Sequence, residues 1–189
     1  MRKQIVQTVM VHPSLFRGGT LEVPGDKSIS HRIAMLAALA SGESHIRNFL
    51  QAEDCLNTLR AMEALGARSC FREDGLLEIR GTGGNFMEPV SALNLGNSGT
   101  GMRLMAGLIA GSSITAEMTG DESLCSRPMR RIKEPLEQMG ASIDLLGPNG
   151  CAPIRVKGGK LKAIDYVLPV ASAQVKSCVL FAGLFADGR

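Results

Sequence analysis

The sequence predicts an α/β fold built from a repeated βαβαββ unit, with the first helix of each unit buried and parallel to its counterparts. Three apolar, alanine- and glycine-rich runs, 33–40, 102–110 and 178–186, recur at a spacing of about 70 to 74 residues. Each run follows a polar turn that contains serine, and amphipathic stretches and short strands fill the intervals. The third unit stops soon after its helix, so we expect that copy to be truncated.

The three runs are apolar on nearly every side, which is typical of helices enclosed by protein. Counted from Ser28, Ser98 and Ser172 in the polar turns, successive units are offset by 70 and 74 residues. Helices related by a repeat are expected to be parallel, so their amino-termini should converge on one face of the fold.

The intervals after the first two runs are alike. Each contains an amphipathic stretch, roughly 53–65 or 128–139, that ends near a Gly-Ala pair where a strand begins. Strands 77–81 and 154–158 close the two units. The predicted division is an amino-terminal segment, two whole units and a partial one, over 1–19, 20–83, 84–160 and 161–189.

Composition excludes several classes of protein. Hydrophobic residues make up 44% and charged residues 21% of the chain, as in globular proteins, and no apolar stretch is long enough to span a membrane. The net charge of +3 comes without a basic stripe interleaved with aromatics, so nucleic acid is not an expected partner. The five cysteines form no C-x-x-C pair, which indicates reduced thiols without a metal site.

The first polar turn, residues 24–32, combines two cations with two hydroxyl groups before a buried helix. Pro24 is expected to end a strand, with Lys27 and Ser28 on the following loop and Arg32 on the second helical turn. An Asp-Lys-Ser sequence alone would indicate only a cap and a solvated lysine. The density of polar groups here favours an anion site at a helix amino-terminus.

The second polar turn, residues 95–103, is rich in glycine, so consecutive N–H groups can face an anion. Met102 stands where the phosphate loop of nucleoside triphosphatases requires lysine, which excludes that class of enzyme. Arg103 is expected to pair with a carboxylate or with carbonyl groups inside the fold.

The third polar turn carries Ser172 and Gln174, whose side chains suit hydroxyl or phosphate oxygens. A fourth cationic element places Arg127 before Pro128, which is expected to be the first residue of a helix. The cations that follow are expected to form a solvated helix face; they are Arg130, Arg131 and Lys133.

His31 has no acidic partner nearby in the sequence, so a structural role is favoured over a general base. Four carboxylates close to the turns are expected to be helix caps or first-turn residues: Asp26, Glu53, Asp54 and Asp121.

Four segments, in order, resemble motifs of the enolpyruvyl transferase family, and of its EPSP synthase branch in particular. Residues 24–32, Pro-Gly-Asp-Lys-Ser-Ile-Ser-His-Arg, are similar to P-G-[SD]-K-S-x-S-x-R, and residues 95–103 resemble L-G-N-[AS]-G-T-x-x-R. Arg127-Pro128 and Ser172-Ala173-Gln174 match two further elements. Ala173, followed by Gln-Val-Lys, is similar to the class II, more glyphosate-tolerant branch.

The resemblance implies two similar domains, each with three βαβαββ copies around buried parallel helices in an inside-out α/β barrel-like arrangement. It implies that residues 1–19 belong to the other domain and that residues 20–189 are an incomplete substrate-binding domain. The chain is therefore expected to be an amino-terminal fragment that lacks a carboxy-terminal domain.

The resemblance also implies transfer of the enolpyruvyl group from phosphoenolpyruvate to the 5-hydroxyl of shikimate 3-phosphate, with release of phosphate. This reaction belongs to the shikimate pathway of aromatic amino-acid biosynthesis. The implied enzyme is cytoplasmic, needs no cofactor or metal, and is a monomer at full length.

Site roles follow from the same resemblance. The implied contacts to shikimate 3-phosphate are Lys27, Ser28, Arg32, Ser172 and Gln174. The implied contacts to phosphoenolpyruvate are Lys27, Asn97, Gly99, Thr100, Arg127 and Gln174. The family's principal acid–base carboxylates come from the other domain. Lys27 is therefore expected to act electrostatically, and the chain alone is expected to be inactive.

Two alternatives stay open at this point. The UDP-N-acetylglucosamine enolpyruvyl transferase branch uses a catalytic cysteine in a mobile loop, and Cys125 is the nearest candidate for it. A free-standing, non-catalytic anion-binding domain is the other alternative.

Overall fold

The computed structural model describes residues 9–13, 15 and 18–188. Much of the predicted amino-terminal segment, residues 1–19, lies outside the described residues, as does Arg189. The proposed assignment of that segment to another domain therefore stays a prediction.

The first unit packs two helices on a three-stranded antiparallel sheet. Its elements are α1 (Lys27–Leu39), β1 (Glu43–Ile46), α2 (Glu53–Ala64), β2 (Arg68–Phe71) and β3 (Leu77–Arg80). The central strand is β3, which pairs with β1 on one side and β2 on the other. Alternation along β3 buries Leu77 and Ile79 in a small core and leaves the other face to solvent.

The second unit repeats this order with an additional strand and a short helix. Its elements are β4 (Leu93–Asn94), α3 (Gly99–Ala110), β5 (Thr115–Thr119), α4 (Glu122–Cys125), α5 (Arg130–Met139), β6 (Ser142–Leu145) and β7 (Ile154–Lys157). The sheet has the order β4-β5-β7-β6, with β4 parallel to β5 and the other pairs antiparallel. The third unit contributes α6 (Ala173–Gly183) and an isolated bridge between Lys162 and Asp187.

The predicted βαβαββ order is complete in the second unit only. The prediction of a strand that ends at Pro24 is wrong. Residues 18–26 form no strand, and Leu21 and Val23 are exposed. Before Asp26, this stretch is bonded to the unit by the Asn48 side-chain amide, which donates to the Val23 carbonyl oxygen at 3.3 Å. A strand needs a ladder of backbone bonds with a neighbour, and here β1 has no such neighbour on its outer edge among the described residues.

The helix expected to begin at Pro128 begins instead at Arg130. Pro128 forms an antiparallel bridge with Cys151, and the Met129 amide donates to the Gly150 carbonyl oxygen at 2.9 Å. These backbone contacts hold the chain extended for two more residues. The proline inside the helix is Pro135.

Helix α3 is the centre of the fold, with α1 and α6 beside it. A Cβ added to Gly107 would lie 2.0 Å from the Cys178 carbonyl oxygen, so α3 and α6 approach as closely as glycine allows. Ten of the twelve α3 residues are buried, which confirms the prediction of an enclosed helix. Helix α1 packs on α2 and α3, and α6 packs on α3 and α5, but their remaining faces expose Leu36 (43%) and Leu180 (63%), so their enclosure is partial.

Each whole unit closes against the end of its own first helix through a glycine. A Cβ on Gly81 would lie 2.1 Å from the Ala40 carbonyl oxygen, and one on Gly158 would lie 2.2 Å from the Ser112 carbonyl oxygen. The two glycines follow the equivalent strands β3 and β7. This match in backbone geometry confirms the repeat that the sequence predicts.

Candidate functional site

Three helices begin at the same end of the molecule, each with a capped first turn. The caps are Asp26 for α1, Ser98 for α3 and Ser172 for α6, and their side chains accept backbone N–H bonds of 2.7, 2.9 and 3.3 Å. Asp26, not Ser28, is thus the counterpart of the two capping serines. Each capped terminus keeps further N–H groups and a partial positive charge at this end.

The first turns are in contact, so the predicted convergence is confirmed. The Gln174 amide of α6 donates to the Thr100 hydroxyl of α3 at 2.9 Å. The His31 ring of α1 lies 3.3 Å from the Ser98 hydroxyl of α3. The three parallel helices therefore present one shared amino-terminal face.

Two cations of the first turn lie on this face. Lys27 forms an ion pair with Asp54 of α2 while its side chain stays half exposed. Arg32 donates to the Ser28 carbonyl oxygen at 2.8 Å and to the Ser177 hydroxyl of α6 at 2.7 Å. The Ser28 side chain is exposed and forms no hydrogen bond within the described part of the chain. Its hydroxyl is therefore available to a ligand.

The second turn holds Asn97 between two charged groups. Its amide nitrogen donates to Asp121 at 2.7 Å, and its side-chain oxygen accepts from the Arg127 guanidinium. Arg127 also donates to the Asn97 carbonyl oxygen at 3.2 Å and to Ser123 at 3.1 Å. These bonds hold the Arg127 guanidinium against the glycine turn.

Two guanidinium groups close over Gly99. A Cβ on this residue would lie 2.7 Å from Nη1 of Arg103 and 3.1 Å from Nη1 of Arg127, so both guanidinium groups lie directly against the glycine. Burial lowers the pKa of Arg103, and the neighbouring Arg127 and Arg131 lower it further. Two like charges held this close at a helix amino-terminus create a strong local preference for an anion.

Gln174 links the second and third turns. Its side-chain oxygen accepts from Arg103 at 2.8 Å, and its amide donates to Thr100. Arg103 also donates to the carbonyl oxygens of Pro128 at 3.1 Å and Gly99 at 3.3 Å. The prediction that Arg103 pairs inside the fold is therefore confirmed, and the same pairing fixes Gln174 at the rim of the site.

Sequence reasoning missed two partners of the predicted cations. Asp54 is a first-turn residue of α2 as expected, but it also holds Lys27. Ser177 anchors Arg32 from α6. Neither pairing leaves a signal in the sequence, because each joins residues on different units or helices. The other predicted caps, Asp26 and Asp121, are confirmed.

His31 is fully buried beneath the shared amino-terminal face, at the junction of α1, α2 and α3. Its Nδ1 lies 2.8 Å from the Thr58 hydroxyl, and its Nε2 faces Ser98. Burial lowers the pKa of His31 to about 4, with Lys27 and Arg32 adding to the effect and Asp54 opposing it. The imidazole is therefore neutral near pH 7, as a structural role requires.

Cys125 and a cluster around His45 carry two further sets of reactive groups. Cys125 is half-buried at the end of α4, with its sulfur 3.5 Å from the Gly120 carbonyl oxygen. On the exposed sheet of the first unit, His45 Nε2 lies 2.8 Å from Glu43 and 3.3 Å from Glu78. Arg72 already pairs with Glu78 there, so this cluster is a surface ion-pair network.

None of the helices in the described part of the chain has the length and apolar character needed to cross a bilayer.

Comparison with known proteins agrees with this geometry. The family profile described as EPSP synthase (3-phosphoshikimate 1-carboxyvinyltransferase) matches residues 17–189. The chain is 50% identical over 183 residues to 3-phosphoshikimate 1-carboxyvinyltransferase from Koribacter versatilis, covering 97% of this chain and 42% of that protein. It is 55% identical over 177 residues to the protein of the same name from Akkermansia muciniphila, covering 90% and 41%.

Among solved structures, EPSP synthase from Acinetobacter baumannii superposes with a TM-score of 0.86 at 48% identity, over 90% of this chain and 39% of that one. The chain thus spans about two fifths of the length of these relatives. The profile matches nearly the whole described chain, and the structure shows the repeat and the three capped helices that share one amino-terminal face. The chain therefore belongs to the EPSP synthase family.

Proposed function

We propose that this chain supplies the substrate-phosphate and phosphoenolpyruvate cradle of a 3-phosphoshikimate 1-carboxyvinyltransferase. The supporting observation is the face on which three capped helix amino-termini meet four cations, which are Lys27, Arg32, Arg103 and Arg127. Both substrates carry phosphate, and phosphoenolpyruvate adds a carboxylate. A face of this kind suits ligands whose charge is mostly anionic oxygen.

The resemblance to the family divides these residues between the two substrates. Residues of the first and third turns line the side assigned to shikimate 3-phosphate; they are Lys27, Ser28, Arg32, Ser172 and Gln174. Residues of the glycine turn and its neighbours line the side assigned to phosphoenolpyruvate; they are Lys27, Asn97, Gly99, Thr100, Arg127 and Gln174. Lys27 and Gln174 stand on both lists, and Gln174 bonds to Thr100 and Arg103 of the second turn.

In the proposed reaction, the 5-hydroxyl of shikimate 3-phosphate gives up its proton and its oxygen bonds to C2 of phosphoenolpyruvate, while C3 gains a proton. The C3 proton is then lost and the C2–O bond to phosphate breaks, which leaves the enolpyruvyl ether and inorganic phosphate. The cations of the cradle stabilise the clustered negative charge and align the substrates. Proton transfer at carbon and oxygen needs additional groups.

The carboxylates beside the cradle are already engaged. Asp54 pairs with Lys27, and Asp121 caps α4 while accepting from Asn97. The hydrogen bond from the Leu124 amide, followed by the one from Asn97, lowers the pKa of Asp121, so its carboxyl group is a poor proton donor. We therefore expect the chain alone to bind phosphate-bearing ligands weakly and to catalyse little or no transfer.

A chimera tests the proposal. Residues 17–189 would replace the matching 39% of Acinetobacter baumannii EPSP synthase, and release of phosphate from phosphoenolpyruvate would be measured. We expect release only when shikimate 3-phosphate is present. A folded chimera that releases no phosphate, or that works equally well with UDP-N-acetylglucosamine, would contradict the proposal.

A matched pair of lysine variants tests the cradle within that chimera. Lys27→Ala removes a cation of the shared face, whereas Lys160→Ala removes an exposed lysine outside it. We expect a large loss of turnover for the first and parental turnover for the second. Equal turnover of the two variants would remove Lys27 from the site.

The finer assignments belong to the same proposal. These are the class II character suggested by Ala173, a cytoplasmic location, and a monomer that binds its two small-molecule substrates and no nucleic acid. The setting of Cys125 disfavours the UDP-N-acetylglucosamine branch, because its thiol points to the Gly120 carbonyl oxygen at the end of a helix.

A further inference from the structure

His31 is a buried polar residue that has no role in the proposed reaction. It nevertheless joins helices α1, α2 and α3 beneath the shared amino-terminal face. It lies on α1, its Nδ1 contacts Thr58 of α2, and its Nε2 contacts Ser98, the cap of α3. We propose that His31 is a positioning residue, held as the neutral Nδ1–H tautomer. In this hydrogen-bond chain Ser98 donates to His31, His31 donates to Thr58, and the chain fixes the glycine turn. The anion-binding part of this inference rests on the proposed function.

The direction of the chain follows from counting hydrogens. Thr58 has one hydroxyl hydrogen, and it donates to the Asp54 carbonyl oxygen at 3.2 Å. The Thr58 oxygen must then accept, so Nδ1 of His31 carries the hydrogen. Nε2 keeps its lone pair, and the Ser98 hydroxyl donates to it.

The opposite direction leaves a donor without a partner. With hydrogen on Nε2, the Ser98 oxygen would accept from both His31 and the Gly101 amide, and the Ser98 hydrogen would need another acceptor. Ser98 is only 1% exposed, and the hydrogen bonds of the described residues give it no such acceptor. A buried donor without a partner is costly, so the first direction is favoured.

Counting the hydrogen-bond donors also excludes the charged imidazolium form of His31. An imidazolium would donate from both nitrogens, which returns Ser98 to the unpaired state. The charged groups that face the ring are Lys27 and Arg32 of α1 and Asp54 of α2, so cations outnumber the carboxylate there. This surrounding charge and the burial keep His31 neutral.

The chain ends on the turn that is assigned to phosphoenolpyruvate. Ser98 accepts from the Gly101 amide at 2.9 Å, and a Cβ on Gly101 would lie 2.7 Å from the Thr58 hydroxyl and 3.0 Å from the Ser98 hydroxyl. The turn is therefore packed directly on the two hydroxyl groups that His31 joins. Because Gly99 lies against the Arg103 and Arg127 guanidinium groups, a shift of the turn would move its N–H groups relative to those cations.

The tautomer is measurable without any activity. Long-range ¹⁵N–¹H NMR of the 189-residue chain at pH 7, with the His31 signals identified by their loss in His31→Gln, should show a protonated Nδ1 and an unprotonated Nε2. Thr58→Val keeps the side-chain shape and removes the acceptor, so the Nε2–H tautomer should appear in that variant. An Nε2–H tautomer or an imidazolium in the unsubstituted chain would overturn the inference.

Binding of inorganic phosphate tests the positioning role. In His31→Gln, the side-chain oxygen of the introduced glutamine can stand where Nε2 stands and accept from Ser98, so this variant should bind phosphate within about twofold of the unsubstituted chain. His31→Leu, which offers no acceptor, should bind about five- to tenfold more weakly, the loss expected for one hydrogen bond. The control is His45→Gln, which alters an exposed histidine of the first sheet and should change nothing.

Two binding results would overturn the positioning role. They are the absence of phosphate binding by the unsubstituted chain and equal affinities for His31→Leu and His45→Gln. A chimera that releases no phosphate would instead contradict the proposed function, because the tautomer does not depend on turnover.

Discussion

The close approach of α3 and α6 makes Gly107 a sensitive position for both stability and the site. In Gly107→Ala, the new Cβ would lie 2.0 Å from the Cys178 carbonyl oxygen, whereas ordinary contacts begin at 3.4 Å. Helix α6 must therefore retreat by about 1.4 Å, or α3 must bend. The 2.8 Å bond between Arg103 and Gln174 would then exceed the hydrogen-bonding range.

The expected cost is the difference between two effects. Overpacking against a backbone carbonyl costs about 3 kcal/mol, at the upper end of the usual range. Alanine recovers about 1 kcal/mol in helix propensity over glycine. The net loss of about 2 kcal/mol corresponds to a fall in Tm of about 4 to 8 °C for a chain of this size.

The matched control is Gly183→Ala in α6, where an added Cβ meets nothing within 4 Å. The same substitution should raise Tm there by about 2 to 4 °C, because only the helix propensity changes. Thermal unfolding followed by circular dichroism measures both. If Gly107→Ala melts at or above the temperature of the parent chain, the close packing of α3 on α6 is wrong.

Three further outcomes are expected. First, the pKa of His31 is about 4 when folded and about 6.5 when unfolded, so the unfolded chain binds more protons between these values. Unfolding free energy should therefore drop by about 3 kcal/mol from pH 7 to pH 4. Urea titrations should show less of this drop in His31→Gln, and an unchanged drop would refute it. Second, Ser172→Ala removes the α6 cap and should lower Tm by about 2 to 4 °C, with unchanged Tm as the contrary result. Third, burial raises the pKa of Cys178 to about 12, so iodoacetamide at pH 8 should label exposed Cys70 and spare Cys178, as mass spectrometry would show. Equal labelling of the two thiols would contradict the buried position.

Local signals account for what the sequence could predict. Helices α2, α3 and α6 and the closing strands β3 and β7 lie within a few residues of their predicted bounds, because periodicity and capping are encoded over short windows. The cap of α1 shows the limit of such signals. Asp26 and Ser28 are both good cap residues, and only the extended backbone of Asp26 (ψ 133°) separates them.

Long-range pairings could not be predicted from spacing. Lys27 pairs with Asp54 on another helix, and Arg32 donates a hydrogen bond to Ser177 of another unit. Periodicity also could not show which faces of α1 and α6 stay uncovered. A helix with apolar residues on every side can be buried on every side, but tertiary structure decides which of those sides a neighbour covers.

The glycines that close each unit on its own helix have a consequence for how the molecule opens. Gly81 and Gly158 pack strands β3 and β7 against helix ends of their own units, so the contacts that complete each sheet lie within one unit. Local fluctuations should then release one sheet while the other stays paired. Amide hydrogen exchange should therefore show two protected blocks, β1 to β3 and β4 to β7, with α3 exchanging last because both units pack on it.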